Sequence, residues 1–120
     1  MDIHWNTSII DPQDLIQIAR GDKSIIHKYL VQFWELIPQR IEVLEDSLKK
    51  KDRKMVRQLL HQMSPQLQFF GIKEIIQPIR RLEHEYETMP FTELRTLVDS
   101  ILFKLNLAIK EVDLTLKENF

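Results

Sequence analysis

The chain has no cysteine among its 120 residues. That excludes disulfides, thiolate nucleophiles and cysteine-based zinc sites, and it fits a reducing compartment. Glycine is almost as scarce, with Gly21 and Gly71 the only two. A glycine-rich phosphate loop with a Walker lysine is therefore missing, so neither an ATP site nor autonomous kinase activity is expected. No apolar run approaches the ~20 residues that a membrane span needs. The start, Met1-Asp2-Ile3-His4-Trp5, has neither the basic region nor the apolar stretch of a signal peptide. Excess charge of one sign is lacking too: 17 Lys and Arg against 18 Asp and Glu leave a net charge of −1, and no global field to gather nucleic acid or acidic membranes. These absences predict a cytoplasmic protein that binds neither.

What is present is helical. A chain of this length with 43% hydrophobic residues reads as one domain, residues 1–120, able to bury a core without staples. Asp11-Pro12 is an N-cap followed by proline, opening a short helix that ends near Ala19 with Gly21 just beyond. Asp22 caps a long helix whose stripe is Ile26, Tyr29, Leu30, Phe33, Ile37, Ile41, Leu44 and Leu48. Asp52 caps the next helix, and Gly71 closes it. Ile72, Ile75, Ile76, Ile79, Leu82 and Tyr86 form a further stripe, broken at Thr88-Met89-Pro90. Leu94, Val98, Ile101, Leu105, Ala108, Val112 and Leu116 then keep a heptad-like spacing. With no strand alternation in competition, the expected fold is all-α: an antiparallel bundle with a four-helix core and a short N-terminal helix. Pro38, Pro65 and Pro78 fall inside these stripes; the apolar period continues through all three, so kinks rather than ends are expected.

His61 stands out against this plan. At about 100° per residue, Met55, Leu59, Met63, Leu67 and Phe70 share one stripe, and His61 lies roughly 160° from its centre. It should point at solvent, with Arg57, Ser64 and Gln68 as neighbours on its face and Lys54 one turn further back. A histidine's ordinary pKa of ~6.5 leaves much of the imidazole neutral and nucleophilic near pH 7. A protruding ring on a polar, slightly basic helix face can accept a phosphoryl group, provided a partner supplies the metal and most of the electrostatics. The bland reading is that an exposed helical histidine does nothing.

The stretch from about Asp11 onward resembles the histidine phosphotransfer (HPt) domain family. Its members carry a histidine mid-helix, an apolar residue at plus two, usually lysine and glycine next, and a closing glycine at plus ten. Here these positions hold His61, Met63, Ser64 with Pro65, and Gly71. Phe33 with Pro38 and the acidic cap at Asp52 also look like the family's pattern. The resemblance implies a phosphorelay intermediate. His61 would take a phosphoryl group from a receiver-domain aspartate and pass it to another, with receiver domains of response regulators or hybrid histidine kinases as partners. It implies no cofactor of the chain's own, Mg2+ being expected only on the receiver, and a monomer. Lys54, Arg57, Ser64 and Gln68 become the expected neighbours of the phosphoryl group, and Gln58, Gln62, Pro65 and Phe69 the expected partner surface, although Phe69 could instead pack against the next helix. Arg57 is the expected stand-in for the lysine that Ser64 replaces. The departures at Ser64 and Pro65 motivate an alternative, an inactive HPt-like adaptor that binds receivers without carrying phosphate. An enzyme with a closed pocket ranks third.

Other features carry less. A bundle di-iron site needs two Glu-x-x-His motifs, and the chain has none, so His84 reads as a surface histidine and no metal site is expected. His4 and His27 carry no signal. The Lys49–Lys54 cluster sits at a helix C-terminus, where lysines complement the dipole, without the interleaved aromatics of a nucleic-acid surface.

Overall fold

The second and third helices begin at an acidic N-cap whose side chain takes up a free N–H of the opening turn, whereas the first begins one residue later than expected, with Pro12 itself at the cap position and Asp11 accepting from just outside it. Asp11 accepts from Gln13 at 3.1 Å, Asp22 from Ser24 at 2.9 Å and Asp52 from Met55 at 3.0 Å. They precede α1 (Gln13–Ala19), α2 (Lys23–Lys49) and α3 (Arg53–Phe69) of a computed structural model that describes residues 2–120. Met1 lies outside the described residues. A single 3-10 turn, Lys73–Ile75, leads into α4 (Ile76–Glu85), and α5 (Phe91–Asn119) follows Pro90.

α2 packs against both α3 and α5, and α4 closes the bundle against α3 and α5, while α1 lies on α2. Contacts between opposite helix ends fix the antiparallel sense. Tyr29, early in α2, meets Phe69 at the end of α3, and His27 stacks on Phe120 just past α5. Arg53, opening α3, donates 2.9 Å to the carbonyl of Tyr86 and also to that of Met89 beyond α4. The 29-residue α5, about 44 Å long at 1.5 Å per residue, sets the long axis of a rod measuring 50 × 21 × 19 Å.

The α2 stripe is buried throughout except at Tyr29, which is half-buried. The α5 stripe is buried from Leu94 to Val112, after which Thr115 replaces Leu116 as the innermost residue. Phe33 and Phe70 meet at the centre with ring centroids 4.4 Å apart. Both are essentially excluded from water, and burying such a side chain contributes about 1.5–3 kcal/mol.

Two local expectations are corrected. Pro78 does not kink a helix: it is the third residue of α4, in a first turn whose N–H groups have no intrahelical partner to lose. Pro38 and Pro65, by contrast, lie inside α2 and α3, which run through them. Met55 is 37% exposed, while Val56 and Leu60 are completely buried. The α3 stripe is centred nearer Met63, leaving Met55 about 90° away at its edge.

A feature without a periodic signature fastens the N-terminal segment to α5. The Glu111 carboxylate accepts from the backbone N–H of Ser8 at 2.8 Å, of Ile9 at 3.0 Å and of Ile10 at 2.9 Å, and from the Ser8 hydroxyl at 3.0 Å. Asn119 exchanges two further hydrogen bonds with the backbone of His4. Burial pushes the Glu111 carboxyl up, but the bonds from Ile9, Ile10 and Ser8 outweigh it and hold the group below the usual carboxylate range. A depressed folded-state pKa contributes stability that is complete above the unfolded value, ~4.3, and lost as pH falls through the folded one. Glu111→Gln should therefore cost about 1–2 kcal/mol near neutrality, moderated by partial solvation. The gap in thermal midpoint between the two proteins should narrow as pH falls from 6 to ~3. A gap independent of pH would mean that the charge of Glu111 is not what holds the segment.

Candidate functional site

His61 lies in the middle of α3 and its side chain is 62% exposed. Measured from the observed core stripe of Val56, Leu59, Leu60, Met63, Leu67 and Phe70, it stands about 150° away, which is why it faces solvent. α4 passes beside it. Nδ1 of His61 and Oε1 of Glu83 are 2.8 Å apart, with the glutamate side chain only 24% exposed. A carboxylate can only accept, so in this bond Nδ1 carries the proton and Nε2 of a neutral ring keeps the lone pair. The carboxylate also fixes ring orientation and would offset positive charge developing on the imidazole. The anchoring of Arg53 on the far end of α4 holds the two helices in the register that brings this pair together.

Ser64, Pro65 and Gln68 of α3 and Ile76, Ile79, Arg80 and Glu83 of α4 line, with His61, a depression of about 240 Å³. That is below the ~300–1,000 Å³ of pockets that enclose small molecules. It has room for a small group carried on the histidine and leaves the rest of any reactant outside. Gln68 Nε2 donates to Ser64 Oγ at 3.0 Å, leaving the Ser64 proton and a second Gln68 N–H available. Pro65, Gln68 and Ile76 are shared with a second hollow of about 510 Å³ that runs to Asp11 and Asp14. The surface beside His61 is thus a continuous trough.

The other residues singled out by sequence are distributed as follows. Ser64, Gln68 and Pro65 border the depression; Lys54, Arg57, Gln58 and Gln62 do not. Lys54, Gln58 and Gln62 are exposed on α3. Arg57 is drawn over the ring of Tyr86, 5.8 Å from its centroid, and its Nε is buried without a hydrogen-bond partner. Phe69 packs edge-on against Tyr29 at 5.2 Å and against Phe70 at 5.8 Å, half-buried between α2 and α3. Its other edge borders the second hollow. Glu83 and Arg80 were missed by sequence reasoning. Their positions, 22 and 19 residues beyond His61, become meaningful only once α4 is folded back on α3. A weak signal existed in their spacing of three, which puts both on one helix face.

His84 is exposed on α4, and no group of three His, Asp or Glu among the described residues could hold a metal ion. No helix among them is long and apolar enough to cross a membrane. Comparison with protein-family models, with curated proteins and with solved structures gives no match.

Proposed function

We propose that this chain is a histidine phosphotransfer module that relays a phosphoryl group between receiver-domain aspartates through His61. The observation that carries this reading is an exposed mid-helix imidazole whose Nδ1 is engaged by Glu83 at 2.8 Å, leaving Nε2 without a hydrogen-bond partner among the described residues. In the proposed step the Nε2 lone pair attacks the phosphorus of an aspartyl phosphate. The P–N bond forms, the acyl P–O bond breaks, and the electron pair leaves on the aspartate carboxylate. No proton has to move: Nδ1 keeps its hydrogen, the ring becomes an imidazolium, and Glu83 offsets that charge. The product remains reactive toward a second carboxylate, as a relay requires. The partner supplies the acyl phosphate and its Mg2+, and the shallow depression suits a site completed by a docked protein.

The test is incubation of the chain with a receiver domain loaded from acetyl phosphate and Mg2+. The expected result is label on the chain that is lost in acid and stable in base. A receiver that binds but leaves the chain unlabelled would support the adaptor reading and reject this one.

A further inference from the structure

A phosphoryl group on Nε2 brings close to two negative charges to a depression that already contains Glu83. The residue at the family's usual lysine is Ser64, which offers only a neutral hydroxyl. Arg57, the cation one turn earlier on α3, is drawn over Tyr86 and does not border the depression. Arg80 does border it. It is exposed on α4, one turn before Glu83, so the two share a helix face. Among the described residues it makes no salt bridge and no side-chain hydrogen bond, whereas its neighbour Arg81 is engaged by both Glu85 and Glu93. The other polar groups able to carry charge at the depression, His61 and Glu83, are hydrogen-bonded to each other. Arg80 is therefore an uncommitted guanidinium at the edge of the hollow that the phosphoryl group would enter. Its planar fork suits two phosphoryl oxygens at once. The Ser64 hydroxyl and the second N–H of Gln68 offer further donors from the opposite wall.

We infer that Arg80, assisted by Ser64 and Gln68, forms an oxyanion-binding site for a phosphoryl group carried on His61, so that the cation at the depression is supplied by α4, no Lys or Arg of α3 bordering it. This rests on the phosphotransfer reading, and its test separates the two. The full chain is loaded with phosphoramidate, which needs no partner: Nε2 attacks phosphorus, the P–N bond to the departing nitrogen breaks, and ammonia leaves. The 31P resonance is then followed across pH, together with the rate of phosphoryl loss at fixed pH, in the wild type, Arg80→Ala, Arg80→Lys and Lys54→Ala. Lys54→Ala removes the same unit of charge from a position outside the depression.

Arg80→Ala should raise the titration midpoint of the phosphoryl oxygens and speed phosphoryl loss about two- to five-fold, a partly solvated ion pair being weaker than a buried one. Arg80→Lys should fall between Arg80→Ala and the wild type, and Lys54→Ala should match the wild type. Labelling of His61 with the same titration and lifetime in Arg80→Ala would overturn the site and leave the phosphotransfer reading standing. Equal effects of Arg80→Ala and Lys54→Ala would reduce Arg80 to general charge and overturn it too. A wild type that takes no phosphoryl group from phosphoramidate would remove both.

Discussion

His61→Gln should abolish phosphoryl acceptance and leave the fold unchanged. The substituted amide can still donate to Glu83, so the link between α3 and α4 can be remade, but no nitrogen with a free lone pair remains to attack phosphorus. The imidazole is largely in water and contributes nothing to the core. Surface changes of this kind stay within about 0.5 kcal/mol, or ~3 °C in thermal midpoint for a domain of this size. Labelling at background with an unchanged midpoint is the expected pair of results. Residual label at the wild-type level would place the acceptor elsewhere. Glu83→Gln belongs in the same experiment. An amide can donate or accept, so it no longer enforces the tautomer with Nε2 free, and it cannot offset the imidazolium. Losing one charge-assisted hydrogen bond, nominally about 1.5 kcal/mol and reduced to about 1 kcal/mol because the His61 ring is largely in water, should slow transfer about five-fold without eliminating it.

Gly71→Ala should be among the most destabilising single changes outside the apolar core. Gly71 has φ +68°, and a Cβ there would lie 2.4 Å from the backbone oxygen of Asp11 and 2.6 Å from its Cβ. The obstacle is main chain, held in place because Asp11 N–H donates to the Phe70 carbonyl at 3.1 Å. A left-handed backbone costs an alanine about 1–2 kcal/mol, and displacing the crossing segment adds to this, for a total of about 3–4 kcal/mol. Gly21 supplies the control: its φ is +76°, but nothing lies within 4 Å of an added Cβ. Gly21→Ala should cost only the conformational part. Equal losses of thermal midpoint in the two variants would show that the Asp11 crossing yields readily.

The contrast between these glycines shows where sequence reading reaches and where it stops. A glycine after an apolar-periodic run announces a left-handed helix end, and both were legible in that role. That one of them is also crossed by a chain segment 60 residues earlier has no local signature. The same division holds across the fold. The long stripes of α2 and α5 and the caps at Asp22 and Asp52 were legible because periodicity and first-turn hydrogen bonding act within a few residues. The position of Pro78 is not legible, because a stripe running from Ile72 to Tyr86 conceals that the chain passes from a 3-10 turn into a new helix. The exposure of Met55 is not legible either, because a stripe built from one residue per turn leaves its own centre undefined by a fraction of a turn. At the candidate site, the solvent-facing direction of His61 followed from rotation per residue alone. Glu83, Arg80 and the turning of Arg57 toward Tyr86 depend on which helix packs beside α3, and rotation per residue does not contain that information.

The Glu111 clasp sets an order of events when the chain folds. Adjacent helices meet through short connections and can begin to associate as soon as each hairpin has formed. The bonds between Ser8–Ile10 and Glu111 span 101 to 103 residues, and no receptor for them exists until α5 is in place against α2. The N-terminal segment is therefore the last part to settle and, by the same reasoning, the first to let go. In amide hydrogen exchange the N–H groups of Ser8, Ile9 and Ile10 should therefore open as a local unit below global stability. The amides of Phe33 and Met63 in the bundle interior should exchange only when the whole molecule unfolds. The segment continues into Asp11, which crosses Gly71, is held there by its own bond to Phe70 and borders the trough leading to His61, so only an opening that also broke this bond would uncover the end of α3 beyond the histidine.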